Sequence, residues 1–245
     1  MYGILCATPE ELQAVAERLD LHPEPVRHGP TRVWRGSLDG EDLALAQCGI
    51  GKVNAAAAAT LLLAVFGARA LVFSGVAGGL DPELPVGALV LADWLATHDY
   101  GVVSAGKFTA TASGVIPIGA PPLSELPPVG ADVRRVLERL AEAVRDRAAG
   151  PVRLGGVVTG DYFLNCAATR DRLRARFGAL GVDMESGAVQ QVAEAWDVPL
   201  YVIRTLSDLA GEESHLTYPQ MAEMAARNSA LCVPELLSLL KSSAS

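Results

Sequence analysis

The sequence predicts an α/β protein: a three-layer α/β/α sandwich around a central mixed, twisted sheet. Three observations lead there. Short apolar runs alternate with longer helix-like runs along the whole chain. Several strand-like runs are apolar throughout rather than alternating, which suits a sheet covered on both faces. One helix, rich in alanine from Ala55 to Ala59, has so little side-chain bulk that it can approach a sheet closely.

The first strand is expected over residues 3–7. A helix over 9–19 follows, because Thr8 and Glu11 have capping-box spacing and Pro9 takes the first helical position. Strands at 31–37 and 43–48 flank Asp39-Gly40, a strong hairpin signal. The alanine-rich helix spans 52–66, and strands at 70–74 and 88–92 come next. Residues 104–128 are rich in Gly, Ala, Ser and Pro and carry no assigned element. A stretch of that length is uncommon inside a compact domain unless it works as a lid or a partner-facing loop; a plain surface loop is the alternative. A helix at 131–148, a strand at 152–158 and a helix at 171–177 lead to a strand that ends in Asp183 and Glu185. A helix at 185–196, a strand at 199–205 and a helix at 218–240 complete the chain. With no internal repeat or linker, residues 1–245 are expected to form one domain.

Composition narrows the function. Half of the 245 residues are apolar and 20% are charged, enough apolar content for a sizeable core. The net charge is −8, and no run of Lys or Arg exceeds two. A nucleic-acid binder needs a basic stripe to neutralise phosphates, so that role is excluded. Cys6, Cys48, Cys166 and Cys232 lie far apart without CxxC spacing and read as reduced thiols. His22, His28, His98 and His215 lack metal-ligand spacing, so no metal is expected. The longest apolar segment, 55–66, is well short of the roughly 20 residues of a membrane span. No secretory leader is evident at the start, and a cytoplasmic location is expected.

Ligands of open α/β sheets bind beyond the carboxyl ends of the strands. Four such ends carry candidate groups. Glu11 follows the first strand, and there its capping role is a sufficient structural account. Ser74-Gly75-Val76-Ala77-Gly78-Gly79-Leu80 is glycine-rich but is neither GxGxxG nor a P-loop. Asp183-Met184-Glu185 places two carboxylates at i and i+2, on one side of an extended segment. Glu185 then opens a helix, where an acid is favoured by the helix dipole alone. A carboxylate there can also accept two neighbouring sugar hydroxyls. Last, an apolar strand delivers Arg204, Ser207 and Asp208, an acid beside a cation that suits a proton donor or a ligand clamp.

These blocks occur together with Glu10-Glu11, Gly49-Ile50-Gly51-Lys52-Val53-Asn54-Ala55, Thr159-Gly160-Asp161-Tyr162-Phe163 and Ser214-His215-Leu216-Thr217-Tyr218. In this order and spacing, from residue 1 to about 240, the chain resembles the nucleoside phosphorylase/nucleosidase superfamily. Within it, the chain is most similar to the 5'-methylthioadenosine/S-adenosylhomocysteine nucleosidases. Met184-Glu185 and Ser207-Asp208 are the most specific blocks.

The resemblance implies a nucleoside phosphorylase-like fold and hydrolysis of the N-glycosidic bond of an adenine nucleoside, with water as co-substrate. It places the base against Phe163 and Leu164, with Asp208 protonating purine N7. It assigns the ribose to Met184 and Glu185, water activation to Glu11 with Arg204 nearby, and the 5' substituent to Ile50 and Tyr218. Val76, Ala77, Gly78 and Ser207 fall among its substrate-binding positions. Relatives of this type are commonly homodimers, a role that Val115-Ile116-Pro117-Ile118 would suit; no organic cofactor is implied. The chain departs from the family at Val76, where a hydroxyl residue is usual, and over residues 101–128, where the likeness is poor. Three alternatives stand beside the main reading. Futalosine and aminodeoxyfutalosine hydrolases are related, the former tending to carry Asn at the position of Asp208. A phosphate-dependent phosphorylase would need cations around phosphate, and the Glu10-Glu11 pair and the glycine-rich turn supply none. A nucleoside-binding protein without catalysis is the third.

Overall fold

The computed structural model describes residues 1–123 and 128–243. Its centre is a ten-stranded mixed sheet. The chain enters through β1 (Tyr2–Cys6) and α1 (Pro9–Ala16). Two short strands, β2 (Asp20–Leu21) and β3 (Val26–His28), precede the hairpin of β4 (Thr31–Leu38) and β5 (Glu41–Gln47). Asp39 and Gly40 turn that hairpin with φ of 50° and 81°, as the Asp-Gly pair predicts. After α2 (Lys52–Ala64) come β6 (Leu71–Gly79) and β7 (Leu89–Thr97), then a separate small hairpin, β8 (Gly101–Ser104) and β9 (Lys107–Ala110). The second half runs α3 (Ala131–Val144), β10 (Val152–Thr159), α4 (Ala167–Phe177), β11 (Gly181–Asp183), α5 (Ser186–Ala195), β12 (Leu200–Asp208), α6 (Ser214–Ala230) and α7 (Cys232–Ser243).

Side-chain alternation along the strands splits the core into two main layers. Tyr2, Ile4 and Cys6 of β1 pack with α1, α3, α6 and α7, whereas Leu5 packs on the opposite face with α2 and α5. In β12, Tyr201 and Ile203 face the first layer and Val202 and Leu206 the second. The three-layer sandwich is therefore as expected, and every residue of β12 is buried.

The sheet order is β11-β10-β7-β12-β6-β1-β5-β4-β2, with β3 on β4. β11 also pairs antiparallel with β6, so five strands close on themselves at one end. Two features of this closure shape the site. The glycine-rich run is not a turn: Gly75 to Gly78 extend β6 and pair with β12. A bulge between Leu206 and Asp208 shifts the β12 register at Ser207. Bulges of this kind re-aim side chains beside functional sites.

Several expectations change. Residues 104–128 begin inside the β8–β9 hairpin, so the segment is not structureless throughout; positions 124–127 of it lie outside the described residues. The helix expected over 218–240 starts four residues earlier, carries Pro219 within it, and is two helices. β11 stops at Asp183, so Glu185 is not on an extended segment; it is the residue that precedes α5, with φ −136° and ψ −42°.

Candidate active site

Glu11 takes its place because Thr8-Pro9 starts α1 there. Thr8 Oγ1 accepts the Glu11 N–H at 3.3 Å, and Glu11 Oε2 accepts the Thr8 N–H at 3.2 Å. The capping box is thus real, yet the same carboxylate does more. Oε2 also accepts the Ala7 N–H at 2.7 Å, and Oε1 accepts the Val76 N–H at 3.0 Å. One side chain ties the end of β1 to β6. Burial raises its pKa, against the pull of Arg204 and the three amide donors.

Glu185 sits across the strand ends. Its Oε1 accepts the Gly51 N–H at 2.9 Å and its Oε2 the Met184 N–H at 3.3 Å. Burial, and then the negative charge of Asp183, push its pKa up to about 7. Asp208 ends β12. Its Oδ1 accepts the Ala210 N–H at 2.9 Å and its Oδ2 the Ser207 hydroxyl at 3.0 Å.

These three carboxylates, drawn from residues 11, 185 and 208, line one cavity of about 320 Å³. Each is largely withdrawn from bulk water: Glu11 is 4% exposed, Glu185 6% and Asp208 3%. Ile50, Val76, Ala77, Gly78, Phe163, Met184, Ser207 and Tyr218 line the same space. The Phe163 and Tyr218 rings meet edge to face, with centroids 5.8 Å apart. Burial, then the nearby carboxylates, push the Tyr218 phenol up to about 12, so it stays a neutral donor. Leu164 borders a smaller adjoining hollow beside Asp208 and packs with Val182 and Ala210.

Arg204 is set one layer behind. Its side chain is 1% exposed, stacked over the Phe73 ring at 4.0 Å, and is not part of the cavity wall. Nε donates to Asp183 Oδ2 at 2.9 Å and Nη2 to Ser186 Oγ at 2.9 Å. Burial opposes its charge, but Asp183, Glu11 and Glu185 outweigh that and raise its pKa. Asp183 in turn receives the Thr159 hydroxyl at 2.6 Å and the amides of Glu185 and Ser186. Gly75 leaves room for this cluster: a Cβ there would lie 2.6 Å from Glu11 Oε1 and 2.7 Å from Arg204 Nη1.

Sequence reasoning missed Asp183 as the organiser of the site, and missed Ala7, Thr8 and Val182 in the cavity wall. A signal for Asp183 existed. Arginine in an otherwise apolar strand demands a buried carboxylate partner. A second cavity of about 320 Å³ lies by Leu95, Val133, Gln190 and Glu194. Its described lining holds one carboxylate, Glu194, and no converging set of acids.

The mixed sheet closed by β11, with three acids converging at its strand ends, defines the class: the chain belongs to the phosphorylase superfamily, whose family model matches residues 1–238. The 5'-methylthioadenosine/S-adenosylhomocysteine nucleosidase of Mycobacterium bovis is 38% identical over 248 residues, covering 97% of each chain. At that identity and coverage the chain belongs, within the superfamily, to the 5'-methylthioadenosine/S-adenosylhomocysteine nucleosidase family. The Neisseria meningitidis nucleosidase of the same name, solved in complex with methylthio-immucillin-A, superposes with a TM-score of 0.82 at 29% identity, over 96% of this chain and 97% of that one. The futalosine hydrolase of Helicobacter pylori superposes with a TM-score of 0.84 at 27% identity, over 97% of both chains.

Proposed function

We propose that this chain hydrolyses the N-glycosidic bond of 5'-substituted adenine nucleosides, 5'-methylthioadenosine and S-adenosylhomocysteine, and releases adenine. The observation that carries the reading is the convergence of Glu11, Glu185 and Asp208 on one cavity, beside an aromatic wall. Breaking the bond sends an electron pair to the purine and leaves positive charge on the ribose. Asp208 protonates N7, so neutral adenine departs. Glu185, with Met184 beside it, accepts the ribose hydroxyls and stabilises the cationic sugar. Glu11 takes a proton from the water that adds to C1'. Phe163 stacks on the base, with Ala77, Gly78 and Leu164 around it. Ile50 and Tyr218 border the 5' group. Arg204 acts through Asp183 rather than on the substrate.

Water is favoured over phosphate because the described cavity lining holds four carboxylates and no Lys or Arg. A phosphate dianion needs the reverse. The Val76 side chain offers no hydrogen bond and its N–H is already given to Glu11, so the carboxylate is left as the water's main anchor. Likeness to a futalosine hydrolase favours a second reading, in which the 5' group is larger and the substrate is aminodeoxyfutalosine; Asp208 still suits a 6-amino purine. The same reading takes residues 1–245 as one domain. It takes the protein as cytoplasmic, in keeping with its free thiols, and as a homodimer, in keeping with exposed Ile116 and Ile118. Among the described residues no helix is long and apolar enough to cross a membrane.

Free-base release from methylthioadenosine, with and without phosphate, tests the proposal. Equal release in both buffers is expected. Strict phosphate dependence, with ribose 1-phosphate formed, overturns hydrolysis. Tight binding without adenine release overturns catalysis.

A further inference from the structure

Just outside the cavity, three distant segments close a ring of polar contacts. Lys52, the first residue of α2, donates its backbone N–H to Asp161 Oδ1 at 2.9 Å, 109 residues away. Gly51 before it has no side chain to cap the helix, so Asp161 does that work from the loop after β10. The Asp161 N–H donates to Asp99 Oδ2 at 2.9 Å. Asp99 Oδ1 then receives the Lys52 ammonium at 2.6 Å, and Asp161 Oδ2 lies 3.6 Å from the same nitrogen. The ring therefore runs Lys52 N–H, Asp161 carboxylate, Asp161 N–H, Asp99 carboxylate, Lys52 ammonium.

Its neighbours are functional. Gly51 donates to Glu185, and Ile50 lines the cavity. Two residues past Asp161, Phe163 forms the aromatic wall. Below the loop, buried His98 meets the Tyr162 ring edge-on at 5.3 Å and fills the space where Gly160 lacks a side chain. The loop is thus held from beneath by packing and from above by the ring.

We propose that Asp99, with Lys52 and Asp161, is a positioning residue: the ring sets the Gly51 N–H on Glu185 and fixes the distance from that carboxylate to the Phe163 wall. The proposal rests on the ribose role given to Glu185 above. Stability is a poor account of the ring. Its ionic side chains are 23%, 25% and 47% exposed, and pairs that exposed contribute little to folding. Misplaced binding groups, by contrast, cost activity steeply.

The test is steady-state adenine release by full-length protein carrying Asp99→Asn, Lys52→Met or Lys52→Arg, read across pH, with thermal melting alongside. Asp99→Asn and Lys52→Met are expected to raise KM for methylthioadenosine about tenfold with a smaller change in kcat. They are also expected to move the acid limb of kcat/KM to higher pH, because a carboxylate that loses an amide donor holds its proton more tightly. The groups facing Glu185 besides Gly51 are Asp183 and Glu11, which raise its pKa, Arg204, which lowers it, the Met184 amide, which donates to it, and the Tyr218 phenol and Cys48 thiol; none is altered. Lys52→Arg is expected to restore most of the KM. Should either variant fail to fold, Asp161→Asn keeps an acceptor for the Lys52 N–H while dropping only its own longer ion pair with Lys52, and should show the same shift in milder form. Unchanged KM and an unchanged acid limb in a folded variant overturn the proposal. So does a loss that melting alone accounts for and Lys52→Arg does not rescue. Absence of adenine release by the wild-type protein instead overturns the function on which the proposal rests.

Discussion

Nε of Arg204 donates to Oδ2 of Asp183 at 2.9 Å, and both side chains are 1% exposed. Removing one partner leaves a buried, uncompensated charge. Asp183→Ala is therefore expected to destabilise the fold by about 3–5 kcal/mol. Urea unfolding monitored by circular dichroism checks this. A loss below about 1 kcal/mol, the range of an exposed pair, would contradict the account of Arg204 as held in place by Asp183.

Gly75 supplies a second test. Its Cβ position is occupied by Glu11 and Arg204 oxygen and nitrogen atoms within 2.7 Å. Gly75→Ala must push one of them aside. Glu11 is expected to move, because Arg204 is pinned by Asp183 and Ser186. The variant should lose about 1–3 kcal/mol of stability to overpacking and lose kcat by at least about 10²-fold. Wild-type turnover in Gly75→Ala would show that Glu11 can shift without consequence.

In the proposed mechanism, Asp208→Asn removes the proton that neutralises the departing base while keeping side-chain shape. A drop in kcat of at least about 10²-fold is expected, the size of a general-acid effect. Initial rates of adenine release from methylthioadenosine measure it. Near-normal turnover in a folded variant rejects the role.

Stability and activity should respond to pH in opposite directions. Unfolded, Glu185 titrates near its ordinary 4.5; folded, near 7. Between these values the folded protein holds a proton that the unfolded chain has released. The stability tied to this group is then complete below about 4.5 and is lost as pH rises through 7. Glu11, also raised by burial, acts in the same sense. The ribose role proposed for Glu185 needs the ionised form, so kcat/KM should rise across the same window. Urea unfolding at pH 5 and pH 7.5, beside a pH–rate profile, checks both. Activity that falls from pH 5 to 7.5 would contradict an anionic Glu185.

Much of the fold was legible because its signals are local. Asp39-Gly40 marked the β4–β5 hairpin, and Thr8-Pro9 marked the start of α1. What was misjudged depends on distant partners. Residues 75–79 read as a turn because they are glycine-rich, yet pairing with β12 and β11 makes them strand. The last helix is expected from residue 218, but it already runs from Ser214, with Pro219 inside it. The short strands β2, β3, β8 and β9 are too brief and too polar to announce themselves. In the site, Glu11, Glu185 and Asp208 could be named from the resemblance and line one cavity, whereas Arg204 signalled only that some buried carboxylate was needed; which one was hidden, since Asp183 comes from another strand 21 residues away.

The most direct test of the central claim is the crystal structure of this protein with a non-hydrolysable methylthioadenosine analogue. The account predicts the ribose hydroxyls within hydrogen-bond distance of Glu185, N7 of the base facing Asp208, the purine on Phe163, and a water between Glu11 and C1'. A nucleoside bound in the cavity beside Gln190 and Glu194 instead, or one whose base and ribose contact none of the three acids, would contradict it.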